Sequence, residues 1–477
     1  MSDYRRDRPT RQGRAERRGS TTGMVRNKPV DEVRATARDV LRAVRERDAY
    51  ANLLLPKMLR ERRITGRDAA LATELTYGTA RAQGLLDAVI ASAAGRDIAD
   101  IDGPVLDVLR LGAYQLLRTR IGSHAAVSTS VDLIRSEAGQ GSAGFGNAVL
   151  RKISQRDGEL WIESLAPSMA DDLIGNMAFR YAHPRWIAQV FFDALGGSAG
   201  QLQAALAADD ARPPVHLVAR PGMISAEELA LISGGDEGRW SPYCVYLPGG
   251  DPGELEPVRE GLAGVQDEGS QLVARAVDIA PIDGTDAGRW LDLCAGPGGK
   301  AALLGALAGV AGATLDAVEV SAHRAELIRK VTADLPVTVH VVDGRDSGLE
   351  PGYDRVLLDA PCSGLGSLRR RPEARWRRTP SDVAELVVLQ RELLTAAVRL
   401  VRPGGVIVYS TCSPHPAETT DVVAAVIAET GAAQLDAREL VSVDGRRMPG
   451  LGDSPHVQLW PHVHGTDAMF LAVLTKN

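Results

Sequence analysis

Leu291-Asp292-Leu293-Cys294-Ala295-Gly296-Pro297-Gly298-Gly299-Lys300 is the stretch on which the reading of this chain turns. A short apolar run leads into glycines and then into a second apolar run, which predicts a strand, a tight loop and a helix. Glycines let the backbone turn sharply and approach a ligand closely. The N-terminus of the following helix offers unpaired N–H groups to a carboxylate or phosphate. Loops of this kind serve NAD, FAD and S-adenosylmethionine alike. This one is not a Walker loop, because Ala301 follows Lys300 where Ser or Thr would hold magnesium.

Outward from the loop, apolar runs at 290–294, 314–320, 338–342, 355–359 and 405–410 alternate with helical stretches such as 301–307, 322–333 and 383–400. This rhythm predicts βαβ units and a doubly wound parallel sheet. Glu319 ends the second strand, where an acid accepts hydrogen bonds from ribose hydroxyls. Asp343 ends the third, a place suited to the adenine or sulfonium end of a cofactor. Either acid alone could equally cap a helix. Three strand ends in order, each with a suitable group, point to a cofactor site over residues 294–300 with Glu319 and Asp343.

The fourth and fifth strands each run into a cysteine, in Asp359-Ala360-Pro361-Cys362-Ser363-Gly364 and Ser410-Thr411-Cys412-Ser413-Pro414. Ligands of open α/β sheets bind outside the carboxyl ends of the strands, so both thiols are expected to face the cofactor crevice. Lone cysteines in apolar segments are usually small core residues, which is the reading for Cys244 and Cys294. Two thiols at two strand ends fit methylation of a pyrimidine at carbon 5. That carbon is too electron-poor to take a methyl group directly, but a thiolate adding to carbon 6 turns it into an enamine-like nucleophile. One thiol then serves as nucleophile and the other in product release. Asp359 is placed to hydrogen-bond the pyrimidine edge, and Lys300 to favour a thiolate.

Before this region, residues 31–164 carry helical periodicity, clearest from Val105 to Leu117, with no alternating strand pattern. Residues 166–287 are mixed, with a helix expected from Pro184 to Leu195 and strands at 215–218 and 244–247. Residues 1–27 hold eight arginines against Asp3, Asp7 and Glu16 and few apolar residues. This reads as a disordered tail, either solubilising or an arm for RNA. The organisation is therefore a tail (1–27), a helical domain (28–165), an α/β linking subdomain (166–287) and a Rossmann-like domain (288–477).

The net charge of −6 gives no global signal of nucleic-acid binding but does not forbid local basic patches. No apolar span reaches membrane length, and the arginine-rich start is no secretory signal. Four cysteines, at 244, 294, 362 and 412, are too far apart for a zinc pair and suit a reducing cytosol. No metal is expected, His462 and His464 reading as part of a surface strand. A cytoplasmic monomer without membrane association is the expectation.

The motifs LDLCAGPGGK (291–300), DAPCSG (359–364) and STCS (410–413), with Glu319 and Asp343, resemble the Sun (Nop2/Sun) family of RNA cytosine methyltransferases over roughly residues 166–477. That resemblance implies S-adenosylmethionine as cofactor, Cys412 as nucleophile, Cys362 as the release thiol and Asp359 as the base-binding carboxylate. It implies cofactor contacts from Cys294, Ala295, Gly296, Pro297, Gly298, Gly299, Lys300, Glu319, Asp343 and Asp359. The sequence departs from the family at Gly296, where many relatives have Ala, and at 464–470, where Ala468 and Met469 replace Gly and Phe. The helical domain is similar to the RNA-binding domain of the antitermination factor NusB, at 109–116 and 144–150. A NusB-like domain ahead of this methyltransferase implies a substrate in small-subunit (16S) ribosomal RNA.

Arg369-Arg370-Arg371-Pro372-Glu373-Ala374-Arg375-Trp376-Arg377-Arg378 follows the Cys362 loop, with six arginines against one glutamate. Arg324, Arg369, Arg370 and Arg371 are expected to meet RNA, and Trp376 to stack on a base. Three rivals remain at this level. Transfer RNA, or DNA with Cys362 as nucleophile, would use the same chemistry. A non-catalytic RNA-binding or ribosome assembly factor would keep the fold without it.

Overall fold

The computed structural model describes residues 31–442 and 447–477, so the basic tail at 1–27 lies outside the described residues. Helices fill 32–165: Glu32–Arg47, Ala51–Glu61, Gly66–Ala94, Gly103–Arg118, Ser123–Ile153 and Gly158–Leu165. Asp31 starts the first by accepting the Arg34 N–H at 3.0 Å, the usual role of an N-cap aspartate. The fourth helix is central. Its Val105, Leu106, Val108, Leu109, Leu111 and Ala113 are all buried, in one core with Leu86, Ile90, Ile134 and Leu150.

Helices Leu173–Arg180, Arg185–Ala194 and Ala199–Asp210 form a separate apolar cluster, the second starting after Pro184 as its sequence suggests. Four strands then make a small antiparallel sheet: β1 (Val215–Ala219), β2 (Asp236–Glu237), β3 (Cys244–Leu247) and β4 (Ala263–Val265), in the order β2-β3-β1-β4.

The large sheet carries β5 (Arg289–Asp292), β6 (Thr314–Val318), β7 (Val337–His340), β8 (Tyr353–Asp359), β9 (Val401–Thr411), β10 (Ala433–Leu435), β11 (Val457–Gln458) and β12 (Phe470–Thr475). Its order is β10-β12-β9-β8-β5-β6-β7, with β11 paired to β12. The chain winds from β5 out to β7, then returns through β8 to β9, so β5 and β8 flank the point where the winding reverses. Ligands of such sheets collect at that point. The pairs from β7 to β9 are parallel. The Rossmann-like expectation holds, but the sheet is mixed because β12 enters antiparallel between β9 and β10. Antiparallel pairing needs no helical crossover, which is why this strand is missing from the βαβ rhythm.

His462 and His464 depart from expectation. They lie on a short helix, Pro461–His464, rather than on a surface strand. His464 is buried, its Nδ1 accepting the Trp460 N–H at 2.8 Å and its Nε2 lying 2.9 Å from the Pro449 carbonyl. Pro461 opens that turn and removes the N–H that a ladder would need.

Candidate active site

The helix Gly299–Ala311 begins beyond the loop after β5. Its N-cap, Gly298, has φ +113°, contributes no side-chain cap and leaves the first-turn N–H groups open. A Cβ at Gly296 would lie 2.0 Å from the Glu319 carboxylate, so a side chain there requires that carboxylate to shift. Glu319 is buried just past β6 and accepts the Ser321 N–H at 2.9 Å. Arg324 is turned toward this loop. It donates to the Gly296 carbonyl and sits 3.5 Å from Glu319, so it braces the cofactor loop while its side chain stays half-exposed. Ala295 is buried and ties the loop to β6 through the Val318 carbonyl, while Pro297 is exposed at the tip.

Asp292 lies beneath the loop and is fully buried. Its Oδ1 accepts the Cys294 N–H at 3.3 Å, and its Oδ2 has no partner. Burial, with the nearby Asp359 charge, pushes its carboxyl up to about 7. Asp343 is less free than its strand end suggests. It caps its own turn and binds Arg345 through Nε at 3.1 Å and Nη2 at 2.7 Å, which holds its carboxyl below the usual range.

Across the reversal point, Lys300 Nζ donates to Asp359 Oδ2 at 2.9 Å, joining the cofactor helix to the end of β8. Although burial opposes the ammonium, Asp359 raises the lysine above its ordinary value. Beside this pair the Sγ atoms of Cys362 and Cys412 stand 3.4 Å apart. The thiols are not equivalent. The hydrogen bond from Cys362 lowers the Cys412 thiol against burial and the Asp359 charge, aided by Arg371 and Lys300. The same bond, then burial, raises Cys362 well above the usual thiol range. The opposed shifts favour the thiolate on Cys412, with Cys362 as its S–H partner. Burial first, and then nearby carboxylates, push Cys244 and Cys294 up, as suits core thiols.

Four residues that sequence reasoning passed over hold this geometry: Ser363, Gln390, Ser413 and Glu418. Each cysteine is followed by a serine, a local repeat that carried the signal; the carboxylate between the serines did not announce itself.

The arginine segment is a correction. Arg369 is buried and bonded to Asp467 at 2.8 Å and to the Gly465 carbonyl. Arg370 reaches Asp267 at 2.7 Å and Asp467 at 3.0 Å. Arg375 is wholly buried, donating to the carbonyls of Ala182 and Asp209. Trp376 is half-buried against the helical domain. It packs on Gly84 of the helical domain, where a Cβ would lie 2.3 Å from the ring, and its Nε1 donates to the Ala80 carbonyl at 2.9 Å. Arg377 donates to the Val44 and Ala49 carbonyls. Most of the run's charge is therefore consumed inside the protein, docking the helical domain beside the Cys362 loop. Arg371 stays exposed, its guanidinium 6.0 Å from the half-exposed Tyr50 ring.

Comparison with known proteins agrees with this architecture. A family model described as 16S rRNA methyltransferase RsmB/F matches residues 279–475, and the NusB family model matches residues 31–155. A putative methyltransferase of Mycobacterium tuberculosis is 60% identical over 94% of this chain and 98% of its own length. The ribosomal RNA small subunit methyltransferase B of Pseudomonas putida is 35% identical over 93% of this chain and 98% of that protein. Among solved structures, that of the protein PH0851 superposes with a TM-score of 0.77 at 22% identity, covering 94% of this chain and 99% of its own.

Proposed function

The chain belongs to the RsmB/F family of methyltransferases, and from that premise we propose that it methylates carbon 5 of a cytosine in small-subunit (16S) ribosomal RNA through a covalent Cys412–cytosine adduct. The cofactor is S-adenosylmethionine. The residues present fit it: a glycine at 296 where a Cβ would strike Glu319, open helix N–H groups at 299, and an unpartnered buried oxygen on Asp292. Gly296, Gly298, Gly299 and Glu319 would hold it, with Asp292 beneath. When bound, it supplies an electrophilic sulfonium methyl group.

The observation that carries the reading is the thiol pair, 3.4 Å apart and unequal, beside the Lys300–Asp359 bridge. Cys412 adds as thiolate to carbon 6, and Asp359 hydrogen-bonds the pyrimidine edge to stabilise the adduct. Carbon 5 then gains the methyl group and bears both methyl and hydrogen. Cys362, having passed its own proton to solvent, takes the carbon 5 proton as thiolate; the C–H electron pair re-forms the carbon 5–carbon 6 double bond as the carbon 6–sulfur bond breaks, returning the Cys412 thiolate. A base must leave its stack to reach these thiols, which is cheaper in a loop than in a duplex. Arg371, exposed at the crevice, contacts the RNA backbone.

The test uses labelled cofactor, unmodified 16S RNA, and wild type, Cys362→Ala, Cys412→Ala and the double variant. Cys362→Ala is expected to leave labelled RNA bound to protein after denaturation, and Cys412→Ala and the double variant to leave none. Methyl transfer persisting in Cys412→Ala but lost in Cys362→Ala would reverse the roles. Transfer to transfer RNA alone would replace the substrate.

A further inference from the structure

Glu418 takes no part in the steps above, yet it lies under both cysteine loops. Its side chain is fully buried. Oε1 accepts the Ser363 N–H at 2.7 Å and Gln390 Nε2 at 3.1 Å, while Oε2 accepts the hydroxyls of Ser363 and of Ser413, the latter at 2.6 Å. The two hydroxyls are 3.2 Å apart. Ser363 directly follows Cys362, and Ser413 directly follows Cys412. Tyr409 donates to the Glu418 carbonyl at 2.7 Å, and Gln390 also reaches the Pro361 carbonyl at 2.8 Å. Four donors on two oxygens satisfy the acceptor capacity of a buried carboxylate.

The arrangement is lopsided. Glu418 bonds the backbone N–H beside Cys362, and its charge bears on that thiol. Cys412 instead faces Lys300 and Arg371. The other titratable groups about the pair are Asp359 on the cofactor side and Tyr409 beneath, with His415 adjoining Glu418.

We propose that Glu418 is a positioning residue that ties the two cysteine loops together and keeps Cys362 the S–H partner, so that Cys412 carries the thiolate. This rests on the thiol roles proposed above, but its test needs neither RNA nor cofactor. Glu418→Gln keeps the shape of the clamp: its carbonyl oxygen can still accept from Ser363 and Gln390, and its amide can donate to the two hydroxyls. It removes the charge.

The full-length protein and this variant are alkylated with iodoacetamide across a pH series, and peptide mapping reports which cysteine reacts. In wild type, Cys412 is expected to react at least ~10-fold faster than Cys362 at neutral pH. In Glu418→Gln the preference is expected to fall below ~3-fold and the midpoint of alkylation to move to lower pH, since a negative charge has left the pair. Methyl transfer should lose kcat while the KM for S-adenosylmethionine stays the same. Unchanged preference and unchanged midpoint would overturn the proposal. Should Glu418→Gln fail to fold by circular dichroism, Ser413→Ala cuts one tie and keeps the charge. It is expected to reduce the preference about 3-fold, and wild-type preference there would overturn the clamp. Altered alkylation together with no methyl transfer to any RNA would refute the proposed function alone.

Discussion

The catalytic crevice and the arginine segment at 369–378 are neighbours in the chain and opposites in their use of charge. In the crevice, charge is left incompletely paired: Asp292 has an orphaned oxygen, and the two thiols share one short contact. In the arginine segment, guanidinium groups are matched against Asp267, Asp467 and Asp209 and against backbone carbonyls of the helical domain. Incomplete pairing costs stability and keeps groups reactive. Fuller pairing, in which only Arg375 Nε and Glu373 Oε2 lack partners among the segment's buried polar atoms, spends reactivity on holding two domains in place.

That contrast can be broken most forcefully at Arg375. Replacing this wholly buried cation by Ala leaves two carbonyls without their donor and the buried Asp209 with His183 alone, and is expected to cost about 3–5 kcal/mol, read from denaturant unfolding. A loss under 1 kcal/mol would mean that the segment is not a latch.

Asp292→Asn should act in the opposite direction. The buried carboxyl titrates near 7 in the fold against an ordinary 3.8, so the folded state binds its proton more tightly than the unfolded chain does. Stability is then lost as pH rises from about 4 to about 7, and a neutral side chain removes that loss. The variant is expected to match wild type near pH 4 and to exceed it at pH 8 by up to about 4 kcal/mol. Cofactor affinity, measured by calorimetry, should fall. Equal stability at both pH values would show that Asp292 finds a partner that the geometry does not show.

The smallest effect belongs to Arg371, the residue of the segment whose charge still faces out. Arg371→Ala is expected to weaken RNA binding about 3–10-fold and to reduce the salt slope by about one, with melting temperature unchanged. Trp376→Ala measured beside it should move the melting temperature instead. If both variants moved RNA affinity alike, the distinction between latch and RNA contact would fail.

The cofactor loop, the acids at the strand ends and the two cysteines were readable because each is a local pattern: a strand, then a special residue, at a spacing the βαβ unit enforces. The mixed character of the sheet was not, since β12 joins from the C-terminus by antiparallel pairing and leaves no rhythm. Glu418 escaped notice because its meaning lies in reaching Ser363, 55 positions earlier, as well as Ser413.

Residue order by itself determined the helical and Rossmann-like halves, the cofactor loop and the pairing of two thiols with an aspartate and a lysine. It did so because backbone geometry and hydrophobic periodicity act over a few residues. Only tertiary structure decided which arginines face solvent, where Trp376 sits, and what carboxylate lies beneath the two cysteine loops. Those outcomes depend on burial and on partners as far off as Gly84, and Coulomb energies follow distance in space rather than separation along the chain.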